Sequence, residues 1–309
     1  MPKALPPLAL IAGPTASGKS ALALELARRS GGVIVNADSA QLYRDLPVLS
    51  AMPSEADRDA AEHRLYGVRD GAKPCSAAEW AALAKAEIAA IHAEDRVPIL
   101  VGGTGLYLRT LLEGIAPVPA INPAVRADVR GAGVAENLAR LVALDPASAA
   151  RLSPGDTTRI ARALEVVKSS GVTLGQWQAR TEGGIGAAVA LRALILLPPR
   201  EWLYERCRQR FEAMVDSARD EVSALVARNL DPKLPVMRTI GLGEIAALIG
   251  ETLDRDSALA AGTQATRNYA KRQYTWFAHQ PPPEWPRFAS PLDQAGAIEA
   301  ALAMLGAAE

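Results

Sequence analysis

The chain has 309 residues, enough for two modest domains or for one α/β domain with an insertion. Apolar residues make up 49% of it and charged residues 22%, a mixture that excludes disordered, collagen-like and disulfide-scaffold proteins. Because 34 basic and 34 acidic side chains cancel, no global positive field indicates nucleic-acid binding, and any site for a polyanion must be local.

The first hundred residues alternate predicted strands and helices. Apolar runs at residues 8–12, 33–35 and 97–101 predict three buried strands. A glycine loop and an Ala- and Leu-rich helical segment follow the first run, and a capping box formed by Ser76 and Glu79 begins a helix before the third. This alternation is typical of a parallel sheet covered by helices, so the sequence predicts an α/β fold.

The middle of the chain predicts a helical insertion. Residues 115–123 are a proline-broken linker, and the pattern from there to about Gly171 is helical. An apolar run at 190–197 predicts a strand that returns to the sheet, followed by a long amphipathic helix to about Arg228 and by further helices. We expect residues 1–114 to form the first part of the core, 115–186 a mostly helical insertion domain, and 187–309 the return to the core and the C-terminal helices.

The first predicted strand leads into a phosphate-binding pattern. Residues 13–20 read G-x-x-x-x-G-K-S between a predicted strand and a predicted helix, which is the context this motif requires. The backbone N–H groups and the helix N-terminus would hold phosphate oxygens, Lys19 would reach the outer phosphates, and Ser20 could ligate Mg²⁺. The alternative is a glycine-rich turn that matches by chance. The predicted phosphate-binding residues are Gly13, Pro14, Thr15, Ala16, Ser17, Gly18, Lys19 and Ser20.

Asp38 follows the second predicted strand. The carboxyl ends of neighbouring parallel strands converge on one crevice, so Asp38 should face phosphates held by residues 13–20. Its carboxylate could act as a general base or as an outer-sphere partner of magnesium. The alternative is a cap for the next segment, a role that Asp often fills.

The third predicted strand ends in Gly102-Gly-Thr-Gly-Leu-Tyr107. A nucleotide-hydrolysing P-loop protein would carry a magnesium-binding Asp at the end of such a strand. Its absence favours kinases and transferases that handle a diphosphate over motors and switches. The glycines could also serve only a tight turn between strand and helix.

Two small basic faces are predicted on helices. Arg159 and Arg162 form one, Arg267 and Lys271 form the other, and no Asp or Glu occurs from residue 257 to 283. Charge pattern alone is more typical of a solvated helix face than of a polyanion site.

Six motifs follow one another along the chain. They are Gly13 to Ser20, Asp38-Ser39-Ala40-Gln41 with Tyr43, Gly102-Gly-Thr-Gly-Leu-Tyr107, Asp156-Thr-Thr-Arg159-Ile-Ala-Arg162-Ala-Leu-Glu165, Met237-Arg238-Thr-Ile-Gly241, and Thr266-Arg267-Asn-Tyr-Ala-Lys271-Arg272-Gln273-Tyr-Thr-Trp276-Phe277. In this order they resemble the tRNA dimethylallyltransferase family. The resemblance covers about residues 8–278. It implies a P-loop NTPase-like parallel sheet flanked by helices, and transfer of a dimethylallyl group from its diphosphate to the exocyclic amine of adenosine 37 of certain tRNAs.

The resemblance also implies roles for individual residues. Asp38 would accept the amine proton, Thr104 and Arg238 would help hold the reacting centre and the diphosphate, and residues 13–20 would bind the leaving diphosphate with Mg²⁺ at Ser20. The positions implied to touch tRNA, some of them in the insertion domain, are Asp38, Ser39, Ala40, Gln41, Thr104, Arg126, Thr158, Arg159, Ile160, Ala161, Arg162, Arg267, Lys271 and Arg272.

This chain departs from the family pattern at three places. Met52 stands where the family usually has a lysine, Ala218-Arg219 where it has Gly-Leu, and Leu242 where it has an aromatic residue. These changes concern local contacts and RNA affinity rather than the chemistry.

Three other functions compete with tRNA prenylation. An adenylate isopentenyltransferase would use free AMP or ATP, but the helical insertion and the acid-free segment favour a macromolecular acceptor. A small-molecule P-loop kinase would need an arginine-rich lid, which is not evident. Intact Lys19, Ser20 and Asp38 argue against a non-catalytic RNA-binding protein.

The cysteines and the apolar runs indicate in which cellular compartment the protein is expected. Cys75 and Cys207 are far apart, and neither has a Cys or His at metal-ligand spacing, so a zinc site or a disulfide framework is not predicted. The apolar run at 97–108 is short of the ~20 residues of a membrane span. We expect a cytoplasmic monomer whose partners are tRNA and dimethylallyl diphosphate, with no membrane contact.

Overall fold

The computed structural model describes residues 4–306. In chain order its strands are β1 (Pro7–Ala12), β2 (Val33–Asn36), β3 (His63–Arg64), β4 (Pro98–Gly102), β5 (Gly114–Ile115), β6 (Glu182–Gly183), β7 (Ala190–Leu196) and β8 (Arg287–Phe288). Six of them form one sheet in the order β3-β2-β4-β1-β7-β8, with every neighbouring pair parallel. The predicted α/β fold with a parallel sheet is confirmed.

The helices cover the sheet and build the rest of the chain. They are α1 (Lys19–Ser30), α2 (Glu55–Ala60), α3 (Ala77–Ala93), α4 (Gly105–Glu113), α5 (Pro123–Gly131), α6 (Val134–Leu144), α7 (Pro146–Arg151), α8 (Thr157–Ser170), α9 (Leu174–Gln178), α10 (Arg200–Met214), α11 (Arg219–Ala227), α12 (Leu242–Ile249), α13 (Arg255–His279) and α14 (Ala297–Met304). Within residues 4–306, no helix has both the length and the hydropathy needed to cross a membrane.

The sheet is buried because helices pack on both of its faces. On one face, Leu22 of α1 and Leu302 of α14 pack against β1 and β4 in one core cluster. On the other, the Trp80 indole of α3 is fully buried and stacks on Tyr107 of α4, with ring centroids 4.5 Å apart. The Trp80 N–H donates to the Asn36 carbonyl oxygen at 3.0 Å, which fixes α3 at the carboxyl end of β2.

The predicted long helix up to about Arg228 is wrong in one respect, because α10 and α11 are separate helices. Between them, the Ser217 hydroxyl donates back to the Ala213 carbonyl oxygen at 2.9 Å, a local bond that competes with regular helix. Val215 and Ala218 in the break are fully buried against Phe211 and α11. Ala218, one of the departures from the family pattern, thus lies in a packed core.

The chain divides into two compact units. One comprises the residues up to Leu111 and those from Gly186 onward, with the parallel sheet; the other is Leu112–Ile185. The second unit contains α5 to α9 and has its own core, in which Leu141 and Leu164 are fully buried. Its two ends pair as antiparallel strands, with Gly114 opposite Gly183.

Candidate active site

Residues 13–20 form the turn between β1 and α1 that the motif predicts. Gly13 has φ +151°, and a Cβ there would lie 2.5 Å from the Leu196 carbonyl oxygen, so the turn requires glycine. Helix α1 begins with no side-chain cap, which leaves its first N–H groups for an anion. The Ser17 hydroxyl is buried and without a partner among the described residues. The turn therefore presents polar groups that a bound diphosphate could satisfy.

Lys19 is the first residue of α1, where this turn ends. Its Nζ donates to the Pro14 carbonyl oxygen at 2.6 Å. Burial lowers its pKa to about 8; the Asp38 carboxylate counteracts this shift, and the Arg210 guanidinium adds to it. A bound anion would favour the charged form of Lys19 and raise that pKa again.

Asp38 is held by hydrogen bonds within its own turn. The Asn36 side chain accepts from the Asp38 N–H at 2.7 Å and donates to the Asp38 carbonyl oxygen at 3.0 Å. One carboxylate oxygen of Asp38 accepts from the Ala40 N–H at 3.0 Å. The carboxylate is thus fixed in direction, and its remaining oxygen makes no hydrogen bond within residues 4–306.

Thr104 joins the turn after β4 to the turn after β2. Its hydroxyl accepts from the Ser39 N–H at 3.0 Å and donates to the Ser39 hydroxyl at 3.3 Å. The structure thus brings Thr104 next to Asp38, as the convergence of parallel strands predicts.

Two cavities meet at Asp38, and both are built from the unit that contains the parallel sheet. One is named the phosphate cavity because the predicted phosphate-binding residues Lys19 and Ser20 lie on its wall. The apolar cavity, of about 200 Å³, includes among its walls Tyr43, Leu49, Phe211, Met214, Arg238 and Ile240. Thr15, Asp38 and Arg210 line both cavities. A molecule that extends from one cavity into the other therefore passes the Asp38 carboxylate.

Arg210 is a site residue that the sequence did not reveal. It projects from α10, and its guanidinium donates to the Ser50 carbonyl oxygen at 3.3 Å. Burial lowers its pKa, against the attraction of Asp38. No motif marks this position, because α10 reaches the site only through the fold. Arg238, which the sequence did indicate, is exposed and lines the apolar cavity.

Two tyrosines also face Asp38 without having been predicted as site residues. Tyr66 lines the phosphate cavity beside Met52, the residue that stands in place of the family's lysine. Tyr269 lines the apolar cavity. Burial raises the pKa of both phenols, and the Asp38 charge raises it further, so both remain neutral hydrogen-bond donors at ordinary pH.

The basic residues of α13 differ in exposure. Arg267 is half-buried, lies over the Tyr204 ring at 6.0 Å, and donates to the Tyr204 carbonyl oxygen at 3.4 Å. Lys271 and Arg272 are exposed, and the Arg272 guanidinium lies 5.7 Å from the centre of the Tyr269 ring. Arg272 therefore stands beside a wall of the apolar cavity.

The implied tRNA residues of the second unit are only partly available at its surface. Arg126, Thr158 and Arg159 are exposed, and Arg162 is half-buried. Burial lowers the pKa of Arg162, and the neighbouring guanidinium of Arg126 lowers it further. Ile160 and Ala161 are 0% and 2% exposed in the core of this unit, which excludes contact through their side chains.

Gln41 has its side chain engaged within the protein. Its amide donates to the carbonyl oxygens of Ser50 and Ala51, at 3.1 and 2.6 Å. Ser39 and Ala40 lie on the wall of the apolar cavity. Of the residues from Asp38 to Gln41, the first three thus border the apolar cavity, whereas Gln41 lines the phosphate cavity and holds the loop at Ser50 and Ala51.

Comparison with known proteins gives consistent matches. The model of the IPP transferase family matches residues 41–280. A protein from Erythrobacter litoralis named tRNA dimethylallyltransferase is 59% identical over 288 residues, which is 91% of each chain. One of the same name from Sphingopyxis alaskensis is 60% identical over 282 residues, 91% of this chain and 92% of that one.

Solved structures resemble the whole architecture. The full-length tRNA isopentenylpyrophosphate transferase from Bacillus halodurans has a TM-score of 0.69 at 28% identity, over 97% of this chain and 96% of its own. A eukaryotic dimethylallyltransferase, described as acting on tRNA, has a TM-score of 0.77 at 25% identity, over 88% of this chain and 69% of its own.

Proposed function

This chain belongs to the IPP transferase family, and we propose that it transfers a dimethylallyl group from dimethylallyl diphosphate to the exocyclic amine of adenosine 37, next to the anticodon, of certain tRNAs. The products are isopentenyladenosine in the tRNA and free diphosphate. The resemblance found in the sequence motifs is confirmed. The shared name of the relatives favours tRNA as acceptor over free AMP or ATP, over phosphoryl transfer, and over RNA binding without catalysis.

The position of Asp38 carries the proposal. Its carboxylate lies where the phosphate cavity meets the apolar cavity. The first cavity suits a diphosphate, because Lys19 and the start of α1 line it. The second suits an isoprenoid chain and an aromatic base, because aliphatic and aromatic side chains dominate its wall. The bond to be broken and the amine that attacks would meet beside Asp38.

The proposed reaction balances as an alkyl transfer. The allylic carbon–oxygen bond breaks, its electron pair leaves with the diphosphate, and the adenine amine forms the new carbon–nitrogen bond. The nitrogen then loses a proton to the Asp38 carboxylate. Negative charge would grow on the leaving diphosphate, where Lys19, Arg210 and the N–H groups at the start of α1 would stabilise it.

The phosphate cavity fits a magnesium ion that binds together with the diphosphate. Ser20 offers a hydroxyl and Asp38 a carboxylate on the same cavity wall. No group of three or more His, Cys, Asp or Glu side chains in residues 4–306 could hold a metal by itself, so substrate oxygens and water would complete the shell. When bound, Mg²⁺ would add positive charge beside the leaving group.

Binding of tRNA is proposed to use both units. Adenosine 37 has to leave its stack to reach Asp38, and Ser39, Ala40 and Thr104 would then contact the extruded nucleotide. Exposed or half-buried basic residues of α13 and of the second unit would hold the RNA backbone: Arg126, Arg159, Arg162, Arg267, Lys271 and Arg272. We propose that the protein acts as a monomer in the cytoplasm, where the free thiols of Cys75 and Cys207 would stay reduced.

The test is a direct assay of prenyl transfer. The protein is incubated with dimethylallyl diphosphate, Mg²⁺ and unmodified tRNA, and the digested RNA is analysed by mass for isopentenyladenosine. Parallel reactions replace the tRNA by AMP or ATP. We expect product only with tRNA, at the position 3′ of the anticodon. Product with free nucleotides alone would instead assign the protein as an adenylate isopentenyltransferase.

A further inference from the structure

Gln273 connects the turn after β1, where the diphosphate is proposed to bind, with the turn after β4, which contacts the loop of Asp38. It lies on α13, and its side chain points inward, since the residue is only 6% exposed. Its Oε1 accepts from the Thr15 N–H at 2.8 Å, and its Nε2 donates to the Gly103 carbonyl oxygen at 2.9 Å. One amide thus bridges the turn after β1 and the turn after β4.

Both residues that the Gln273 amide bonds to, Thr15 and Gly103, lie beside residues of the proposed active site. Thr15 is one of residues 13–20, the predicted phosphate-binding turn, and it lines both cavities. Gly103 immediately precedes Thr104, whose hydroxyl is bonded to Ser39 beside Asp38. Residues 13–20 are therefore connected to the loop of Asp38 through the hydrogen bonds of Gln273, the peptide bond between Gly103 and Thr104, and the hydrogen bonds of Thr104 to Ser39.

The local packing leaves little freedom in this bridge. A Cβ at residue 103 would lie 2.3 Å from Gln273 Nε2, so glycine at this position lets the amide approach the backbone. The amide of Gln273 has an acceptor oxygen and a donor NH2 group, and each makes one of these two bonds. Replacing it would leave the half-buried Thr15 N–H and the buried Gly103 carbonyl oxygen without these partners.

We propose that Gln273 is a positioning residue, which sets the distance between the diphosphate held by residues 13–20 and the Asp38 carboxylate. The proposal rests on the proposed prenyl transfer, because it concerns the geometry of that reaction. Gln273 is not among the residues that line the two cavities, and its amide is bonded to the Thr15 N–H and the Gly103 carbonyl oxygen, so we expect it not to bind the diphosphate. Its loss should therefore lower kcat more than it alters KM.

Two substitutions separate positioning from simple space filling. Gln273→Met keeps length and volume but removes both hydrogen bonds. Gln273→Glu keeps the acceptor for the Thr15 N–H but sets a carboxylate oxygen against the Gly103 carbonyl oxygen. A displacement of the reacting atoms by about 1 Å costs about a hundredfold in rate. We expect kcat of Gln273→Met to fall about ten- to a hundredfold, with that of Gln273→Glu at least as low, and KM for dimethylallyl diphosphate within about threefold of the parent.

The control is Phe277→Leu, one helical turn further along α13. Phe277 is fully buried, so this variant should lower the melting temperature while it leaves all hydrogen bonds at the site in place. Its kcat should stay near that of the parent. If kcat of Gln273→Met stays at the parent value, or falls only as far as in Phe277→Leu, Gln273 is a structural residue and the proposal is wrong. If the parent itself forms no isopentenyladenosine, the proposed function has failed instead.

Discussion

We expect a bound diphosphate to shift the protonation equilibrium of Lys19 toward the charged form. Its pKa is lowered to about 8 because the ammonium is desolvated, while model peptides titrate at 10.5. An unfolded chain would hold the proton more tightly than the folded one between pH 8 and 10.5. The Lys19 contribution to stability thus rises with pH across that window, and below pH 8 the desolvated ammonium stays charged at a cost to stability.

The same titration predicts how binding depends on pH. Only charged Lys19 attracts the diphosphate, so affinity for dimethylallyl diphosphate should weaken as pH rises above about 8, by up to about tenfold per unit. Calorimetric titrations between pH 7 and 9.5 would measure this. Lys19→Met should bind more weakly and with a flatter pH dependence. Parallel curves for the parent and the variant would remove Lys19 from the diphosphate site.

A substitution at Asp38 can distinguish a general base from a residue that only holds the local backbone. Asp38→Asn keeps an oxygen that accepts from the Ala40 N–H, and the bonds from Asn36 use only the backbone of residue 38. The loop should therefore keep its shape, and both substrates should still bind. Because an amide cannot take the amine proton, we expect the rate of prenyl transfer to fall by about 10²–10⁴.

The measurement is single-turnover transfer at saturating dimethylallyl diphosphate and tRNA. A melting curve of the variant serves as the control for folding. No helix begins at Asp38, whose carboxylate instead holds its own turn through the Ala40 N–H. Asn supports such a turn as Asp does, so a residue with only that role would leave the rate unchanged. A variant rate within about threefold of the parent would contradict the assignment of Asp38 as the base.

At the scale of elements, α13 combines two tasks on different faces. Gln273 and Phe277 point inward, whereas Lys271 and Arg272 are exposed. Arg267 is half-buried against Tyr204, which leaves less of it for RNA than its charge suggests. The acid-free stretch of sequence is thus partly a packing surface and partly an exposed basic face.

This division gives a prediction for tRNA binding. Lys271→Gln with Arg272→Gln should weaken affinity for tRNA and lower the slope of log affinity against log salt by about 0.7–0.9 for each lost phosphate contact. Arg255→Gln is the matched control, because this arginine at the start of the same helix is paired with Asp216 at 2.7 Å. An unchanged slope in the double variant would mean that this face of α13 is only solvated.

Local sequence signals predicted the elements that meet at the site but not every residue in it. The strand–turn–helix pattern around residues 13–20, and the polar turns after β2 and β4, could be placed together because parallel strands end at one edge. Arg210 and Gln273 come from α10 and α13, far along the chain, and only tertiary packing brings them there. In the α8 motif, the side chains of Ile160 and Ala161 face the core. The spacing of the motif residues did not distinguish these buried positions from the exposed ones.

At the scale of the whole molecule, the cavities of the proposed reaction lie in one unit, whereas part of the proposed tRNA surface lies in the other. The residues that line the phosphate cavity and the apolar cavity all come from the unit with the parallel sheet. The second unit has a core of its own and carries exposed or half-buried arginines. Removal of the second unit should therefore separate diphosphate binding from tRNA binding.

The ends of the second unit show where to cut. Ile115 pairs directly with Glu182 in the antiparallel pair of β5 and β6, so residues 116–181 can be replaced by Asn-Gly, a two-residue turn suited to such a hairpin. The shortened protein should fold, bind dimethylallyl diphosphate like the parent, and lose tenfold or more in tRNA affinity as backbone contacts disappear. Calorimetry with each ligand and a melting curve would measure the three properties. Parent-like tRNA binding by a folded variant would confine RNA recognition to the sheet-containing unit, whereas loss of diphosphate binding with the fold intact would mean that the cavities depend on the second unit.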